Sequence, residues 1–213
     1  VWWLVKPLIV VLHLIGGLST LALLTWLWLT LRRRTGVVRP AAGATKVQAL
    51  DTARRLLIIG IIALGIQIVL GGWTSSNYAA VACPDFPRCQ DQWWPADMNY
   101  RDAYQLWRGL EINYTGGVLA PAARVAIHFT HRLGAIAASL ALLLAGWAAW
   151  RRASTDLVRR GALLLLAALV LQLCLGIFTV LLGFPLSLAT AHNGGAALLL
   201  IAALTLSRRL RED

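Results

Sequence analysis

Residues 124–150 read RVAIHFTHRLGAIAASLALLLAGWAAW, and this stretch decides the fold. Beyond Arg132 it is a continuous apolar body that runs to the basic pair Arg151 and Arg152. At about 1.5 Å per residue such a run, coiled as a helix, is long enough to cross the roughly 30 Å of hydrocarbon in a bilayer. A lone strand could not, because its backbone groups would find no partners in lipid. Near the start of the run stand His128, His131 and Arg132, residues that are costly at membrane depth and therefore point to function.

Four further runs have the same character: Pro7 to Leu31, Leu56 to Ser76, Ala162 to Leu182 and Leu186 to Ser207. Hydrophobic residues make up 59% of the chain and the mean hydropathy is +0.68, too apolar for a soluble domain of 213 residues. The expected class is an all-α integral membrane protein with five transmembrane helices.

The net charge of +11 could suggest nucleic acid, but its placement excludes that reading. Arg32, Arg33, Arg34, Arg39, Lys46, Arg54 and Arg55 follow the first run; Arg151, Arg152, Arg159 and Arg160 follow the third; Arg208, Arg209 and Arg211 follow the fifth. All fall on one side of a five-span topology. The other side holds Lys6, Arg88, Arg101, Arg108, Arg124 and Arg132, mixed with Asp85, Asp91, Asp97, Asp102 and Glu111. The positive-inside rule makes the first group cytoplasmic, so the chain starts outside and ends inside. It begins with Val1 and its single methionine is Met98, so a partial or processed chain is expected. The first run lacks the short apolar core and cleavage site of a secretory signal and should remain in the membrane.

Spacing within the helices repeats. Gln67, Leu70, Gly71 and Thr74 in the second run are matched by Gln172, Leu175, Gly176 and Thr179 in the fourth. His13 precedes Gly16 and Gly17 in the first run, and His192 precedes Gly194 and Gly195 in the fifth. A four-helix unit is implied, with runs two to five as one copy and run one as the last helix of an earlier copy. The expected organisation is residues 1–31 as that last helix, 32–55 as a cytoplasmic basic linker, 56–207 as the second four-helix half with an outer loop at 77–123, and 208–213 as a cytoplasmic tail.

His13, His131 and His192 lie six or seven residues inside their runs, about 9 to 10 Å deep, in one layer near the outer face. Two imidazoles facing each other across a bundle are what a six-coordinate haem iron requires, so His131 and His192 are the candidate ligands of a haem-binding four-helix bundle. His13 is the counterpart of His192 in the earlier unit. His128 lies about 60° from His131 on the same helix and is the competing ligand. Arg132 could pair with a haem propionate, or snorkel as a helix-end cation. The bland reading of each histidine is a hydrogen-bonded or proton-handling residue, and of each glycine a tight helix crossing.

The outer loop contains Cys83-Pro-Asp-Phe-Pro-Arg-Cys89, then Trp93, Trp94, Tyr100, Tyr104 and Trp107. On an oxidising membrane face the two cysteines are expected to close a disulfide ring, structural in preference to redox-active. Two thiols without a nearby histidine do not suit zinc. Cys174 reads as a small hydrophobe, and the aromatics as an interfacial belt or a lid.

These residues together resemble one family. Gln67-Ile-Val-Leu-Gly-Gly-Trp-Thr-Ser-Ser-Asn-Tyr-Ala-Ala leading to the cysteine loop, Ile127-His-Phe-Thr-His-Arg132, and Ala191-His192 are similar to haem A synthases of bacterial and mitochondrial inner membranes, particularly the proteobacterial type. The resemblance covers essentially the whole chain, as the last five of eight transmembrane helices. It implies oxidation of the C8 methyl of haem O to the formyl of haem A for terminal oxidases. It implies a haem b cofactor on His131 and His192, a substrate haem O with His13 as a catalytic-site ligand, and electron relay to an unidentified acceptor. The bacterial inner membrane is the expected location. Haem O synthase and a second copy of the chain are candidate partners beside the bilayer, and nucleic acid is not one. Three helices and half of the substrate site would precede Val1, so this chain alone is not expected to catalyse the reaction. The rival readings are a bis-histidine cytochrome b electron carrier, and a haem-free membrane subunit or transporter.

Overall fold

The computed structural model of this chain describes residues 6–32, 44–109 and 112–212. Its helices are α1 (Pro7–Leu31), α2 (Ala44–Ser76), α3 (Tyr100–Ala103), α4 (Pro121–Arg152), α5 (Asp156–Leu181) and α6 (Leu186–Glu212), with a 3-10 turn at Ala80–Ala82. All but α3 are long and apolar enough to cross a membrane, and no strand forms among the described residues. The protein is an all-α, multi-pass membrane protein, as its sequence leads one to expect.

Helix ends extend past the apolar runs that announce them. α2 begins at Ala44, so the latter part of the expected 32–55 linker is helical; the rest of that linker, 33–43 with Arg33, Arg34 and Arg39, lies outside the described residues, as does Glu111. Hydropathy marks only the lipid-facing part of a helix, while Ala, Lys, Gln and Leu, which recur between residues 44 and 50, are good helix formers. α4 starts at Pro121, whose fixed φ suits a first turn, and ends with Arg151 and Arg152 against its negative dipole end. α5 starts at Asp156 because the Thr155 hydroxyl accepts the Val158 N–H at 3.4 Å and a carboxylate favours a first turn.

The chain forms two compact units: Val1–Gly17, Gly65–Ile136 and Cys174–Asn193 make one, and Leu18–Leu64, Ala137–Leu173 and Gly194–Asp213 the other. In the second unit Leu57, Leu142, Leu165, Leu199, Leu206 and Leu210 are buried, as are Ala53, Ala145, Ala149, Ala162 and Ala203. Leucines enter the gaps that small residues leave: a Cβ on Gly60 would stand 2.9 Å from Leu142 Cδ2. Dispersion through such close fits is the main attraction between helices in lipid. Arg54 donates from Nε (2.9 Å) and Nη2 (2.6 Å) to the Leu210 carbonyl, one of the groups that the end of α6 leaves without a helical partner.

The first unit carries every histidine and the outer loop. Trp73, Leu119, Ile127 and several alanines form its core, and Trp73 Nε1 donates to the Ala103 carbonyl at 2.9 Å. α1 joins through Val11 and Leu14, which lie over Gly72. Lys6 is buried, donating from Nζ to the Gly109 carbonyl at 2.7 Å and lying 4.4 Å from the Trp107 ring centre.

Candidate functional site

The site grows from the outer part of α4. Val125 and Phe129, four residues apart and so on one side of the helix, are buried against Cys83 and Cys89. The two cysteines are bonded, as their spacing suggests, with Cα atoms 4.6 Å apart and almost no exposure. Within the ring the Asp85 carboxylate accepts the Gln90 N–H at 2.7 Å and the Asp91 N–H at 3.0 Å. Gln90 and Asp91 turn the chain with φ of 54° and 61°. Burial by itself would raise the Asp85 carboxyl, but those N–H groups, with the Arg132 guanidinium, outweigh it and hold the group below its usual range.

Arg132 fastens this loop to α4. Its Nη2 donates to the carbonyls of Cys83 and Asp85, both at 2.8 Å, and its Nη1 to that of Arg88 at 2.6 Å. Its Nε donates to His128 Nε2 at 3.2 Å. Most donors of the guanidinium are therefore engaged with the loop and with His128, an arrangement that neither propionate pairing nor snorkelling anticipates. His128 is buried, 4% exposed, and meets Phe184 edge-on at 6.4 Å between ring centres. Its Nε2 lone pair is occupied.

His131 faces α2. Gln67 Nε2 lies 2.9 Å from its Nδ1 and donates to its backbone carbonyl at 3.0 Å. One turn further along α2, a Cβ on Gly71 would stand 3.1 Å from His131 Cε1. His192 on α6 has the same kind of seat on α5, where a Cβ on Gly176 would stand 2.9 Å from its Cε1. The repeat read in sequence is thus a repeat in space. Thr74 and Thr179 also match, each hydroxyl donating to the carbonyl four residues back, at 2.8 Å to Leu70 and 2.6 Å to Leu175.

His13 lies on the exposed side of α1, away from Val11 and Leu14, which pack on Gly72. Cys174 is a free, exposed cysteine of α5. Trp93 and Trp94 are largely exposed, and Trp94 meets Phe129 edge-on at 5.0 Å. Sequence reasoning gave Gln67 no role beyond membership of the repeat, although its position one turn before a glycine was the available signal.

The family model described as cytochrome oxidase assembly protein (COX15-CtaA) matches residues 2–204. This chain belongs to the haem A synthase family. It is 42% identical over 202 residues to a haem A synthase of Shewanella oneidensis, an alignment covering 94% of this chain and 58% of that protein. It is 32% identical over 194 residues to one of Rhizorhabdus wittichii, covering 90% and 48%. A third, from a Caulobacter species, is 30% identical over 171 residues, covering 80% and 46%. The chain spans about half the length of these haem A synthase relatives.

Proposed function

We propose that this chain is the later part of a haem A synthase, and that it contributes the electron-transfer half of an enzyme oxidising the C8 methyl of haem O to the formyl group of haem A. The observation that carries the reading is the pair His131 and His192, each imidazole seated on a glycine of a neighbouring helix.

These residues fit a haem. Among the described residues no set of three or more His, Cys, Asp or Glu side chains converges on a point. Two imidazoles alone suit an iron whose other four ligands come from a porphyrin. Gly71 and Gly176 leave the space that lets both rings lie close to their helices. When bound, haem b supplies one-electron redox chemistry at a potential that the protein tunes through ligation and burial. The residues' own part is to ligate, to keep the site dry and to hold the loop: His131 and His192 bind, α2 and α5 fix their rings, and Arg132 keeps the disulfide loop on α4.

His13 serves the substrate haem O, with the rest of that site supplied by the part of a full-length haem A synthase that this chain does not span. The reading places the protein in a bacterial inner membrane with its histidines near the outer face, its basic segments in the cytoplasm and the four-helix half at residues 56–207. The electron acceptor is a further component, and haem O synthase is the natural supplier of substrate.

Reduced-minus-oxidised spectra and haem extraction test this. The purified wild-type chain is expected to carry low-spin haem b, and His131→Ala and His192→Ala to lose it. In the full-length protein, His13→Ala is expected to stop haem A formation while leaving haem b bound; haem A formation at the wild-type rate would favour a plain electron carrier. Haem b retained in both His131→Ala and His192→Ala would defeat the ligand assignment.

A further inference from the structure

Among the residues of the repeat, Gln67 makes the closest polar contact to His131. We infer that Gln67 is a positioning residue for His131: its amide selects which ring nitrogen remains for iron and sets the basicity of that nitrogen. The inference rests on haem ligation by His131 and extends it.

The amide lies 2.9 Å from Nδ1, so Nδ1 is the nitrogen committed to protein and Nε2 the one left over. A neutral imidazole that ligates through Nε2 must carry its proton on Nδ1, and that proton needs an acceptor. A carboxamide can meet either need, because half a rotation about its terminal bond exchanges a donor NH2 for an acceptor oxygen. In the structure Nε2 of Gln67 faces the ring and the His131 carbonyl, while Oε1 is buried with no hydrogen-bond partner. An amide turned to meet a protonated Nδ1 would bring the unpartnered oxygen against that nitrogen and give up the donation to the His131 carbonyl. Gly134 makes the arrangement sterically possible, since a Cβ there would run into Gln67 Oε1 and Leu70.

A neutral amide also suits the task electronically. Accepting the Nδ1 proton raises the basicity of Nε2 and so favours the oxidised iron, and a carboxylate in its place would do so more strongly. The repeat extends the argument to the other ligand: Gln172 stands four residues before Gly176, the seat of His192, as Gln67 stands four before Gly71.

The test uses the haem-loaded chain as wild type, Gln67→Leu and Gln67→Glu, with redox titration of the haem absorption band and electron paramagnetic resonance of the oxidised form. Gln67→Leu is expected to raise the midpoint potential and Gln67→Glu to lower it, both remaining low-spin. Opposite signs are required of a residue that accepts the Nδ1 proton. Shifts of one sign, or none, overturn the inference. So does loss of haem from both variants while the wild type keeps it, because glutamate matches glutamine in shape and can still accept. Loss from Gln67→Leu alone supports it. A wild-type chain that binds no low-spin haem refutes the underlying ligation instead, and the two failures are therefore distinct.

Discussion

Gly176 and His192 occupy one another's space: a Cβ on the glycine would stand 2.9 Å from Cε1 of the ring, closer than side chains tolerate. The imidazole fills the room that any larger residue would need. Gly176→Ala is therefore expected to push His192 off its seat and to reduce haem affinity by roughly tenfold or more, as loss of a supporting contact around a metal ligand commonly does. Gly71→Ala should be milder, since the corresponding distance to His131 is 3.1 Å and a small ring displacement relieves it. Haem per polypeptide at graded haem concentration measures both. Full occupancy of Gly176→Ala with an unaltered spectrum would show that the seats are incidental.

Arg132 holds three loop carbonyls at once, and that fork can be tested without haem. Hydrogen bonds from a charged group contribute about 1.5 to 3 kcal/mol each, so losing the fork should increase local opening of the loop by at least tenfold. In the haem-free protein, Arg132→Gln is expected to let a water-soluble phosphine reduce Cys83–Cys89 at least that much faster. Arg132→Lys should behave similarly, because one ammonium on a flexible stem cannot reproduce a planar fork. The appearance of labelled thiols over time provides the rate. Wild-type kinetics in both variants would mean that packing against Val125 and Phe129 alone retains the loop.

Much of this architecture could be read from sequence because it follows from local chemistry. Runs such as Pro7–Leu31 must be helical in lipid, and two cysteines six positions apart can reach one another through a turn. What remained hidden depends on register between segments far apart in sequence. Gln67 and His131 are separated by 64 positions, and nothing in either helix states which turn meets which. The targets of Arg132 were hidden more deeply, since they are backbone carbonyls whose convergence depends on the turn at Gln90 and Asp91.

His128 competes with His131 in sequence but has a different position in space. It is 4% exposed and its Nε2 accepts from Arg132, so its contribution should be to packing and to the loop anchor. His128→Ala is expected to leave the low-spin haem spectrum intact while lowering stability by about 1 to 3 kcal/mol, the usual cost of leaving a buried donor unsatisfied. Spectra and thermal unfolding in the same detergent separate the two effects. Loss of the haem spectrum in this variant, with retention in His131→Ala, would transfer the ligand role to His128.

Asp85 makes the loop sensitive to acid in a defined window. Burial disfavours its charge, but the N–H groups of Gln90 and Asp91 and the Arg132 guanidinium prevail and hold the folded carboxyl below the usual carboxylate range. A group depressed in the folded state stabilises it above the unfolded pKa and loses that contribution as pH falls through the folded one. Hydrogen exchange over residues 83–92, corrected for the intrinsic pH dependence, should thus stay flat from neutrality to about pH 5 and accelerate only below the ordinary carboxylate range. In Asp85→Asn the carboxylate is absent at every pH, so protection should be lower throughout and the acid step should vanish. An acid step that persists in Asp85→Asn would assign the titration to another group and leave the Asp85 turn as geometry alone.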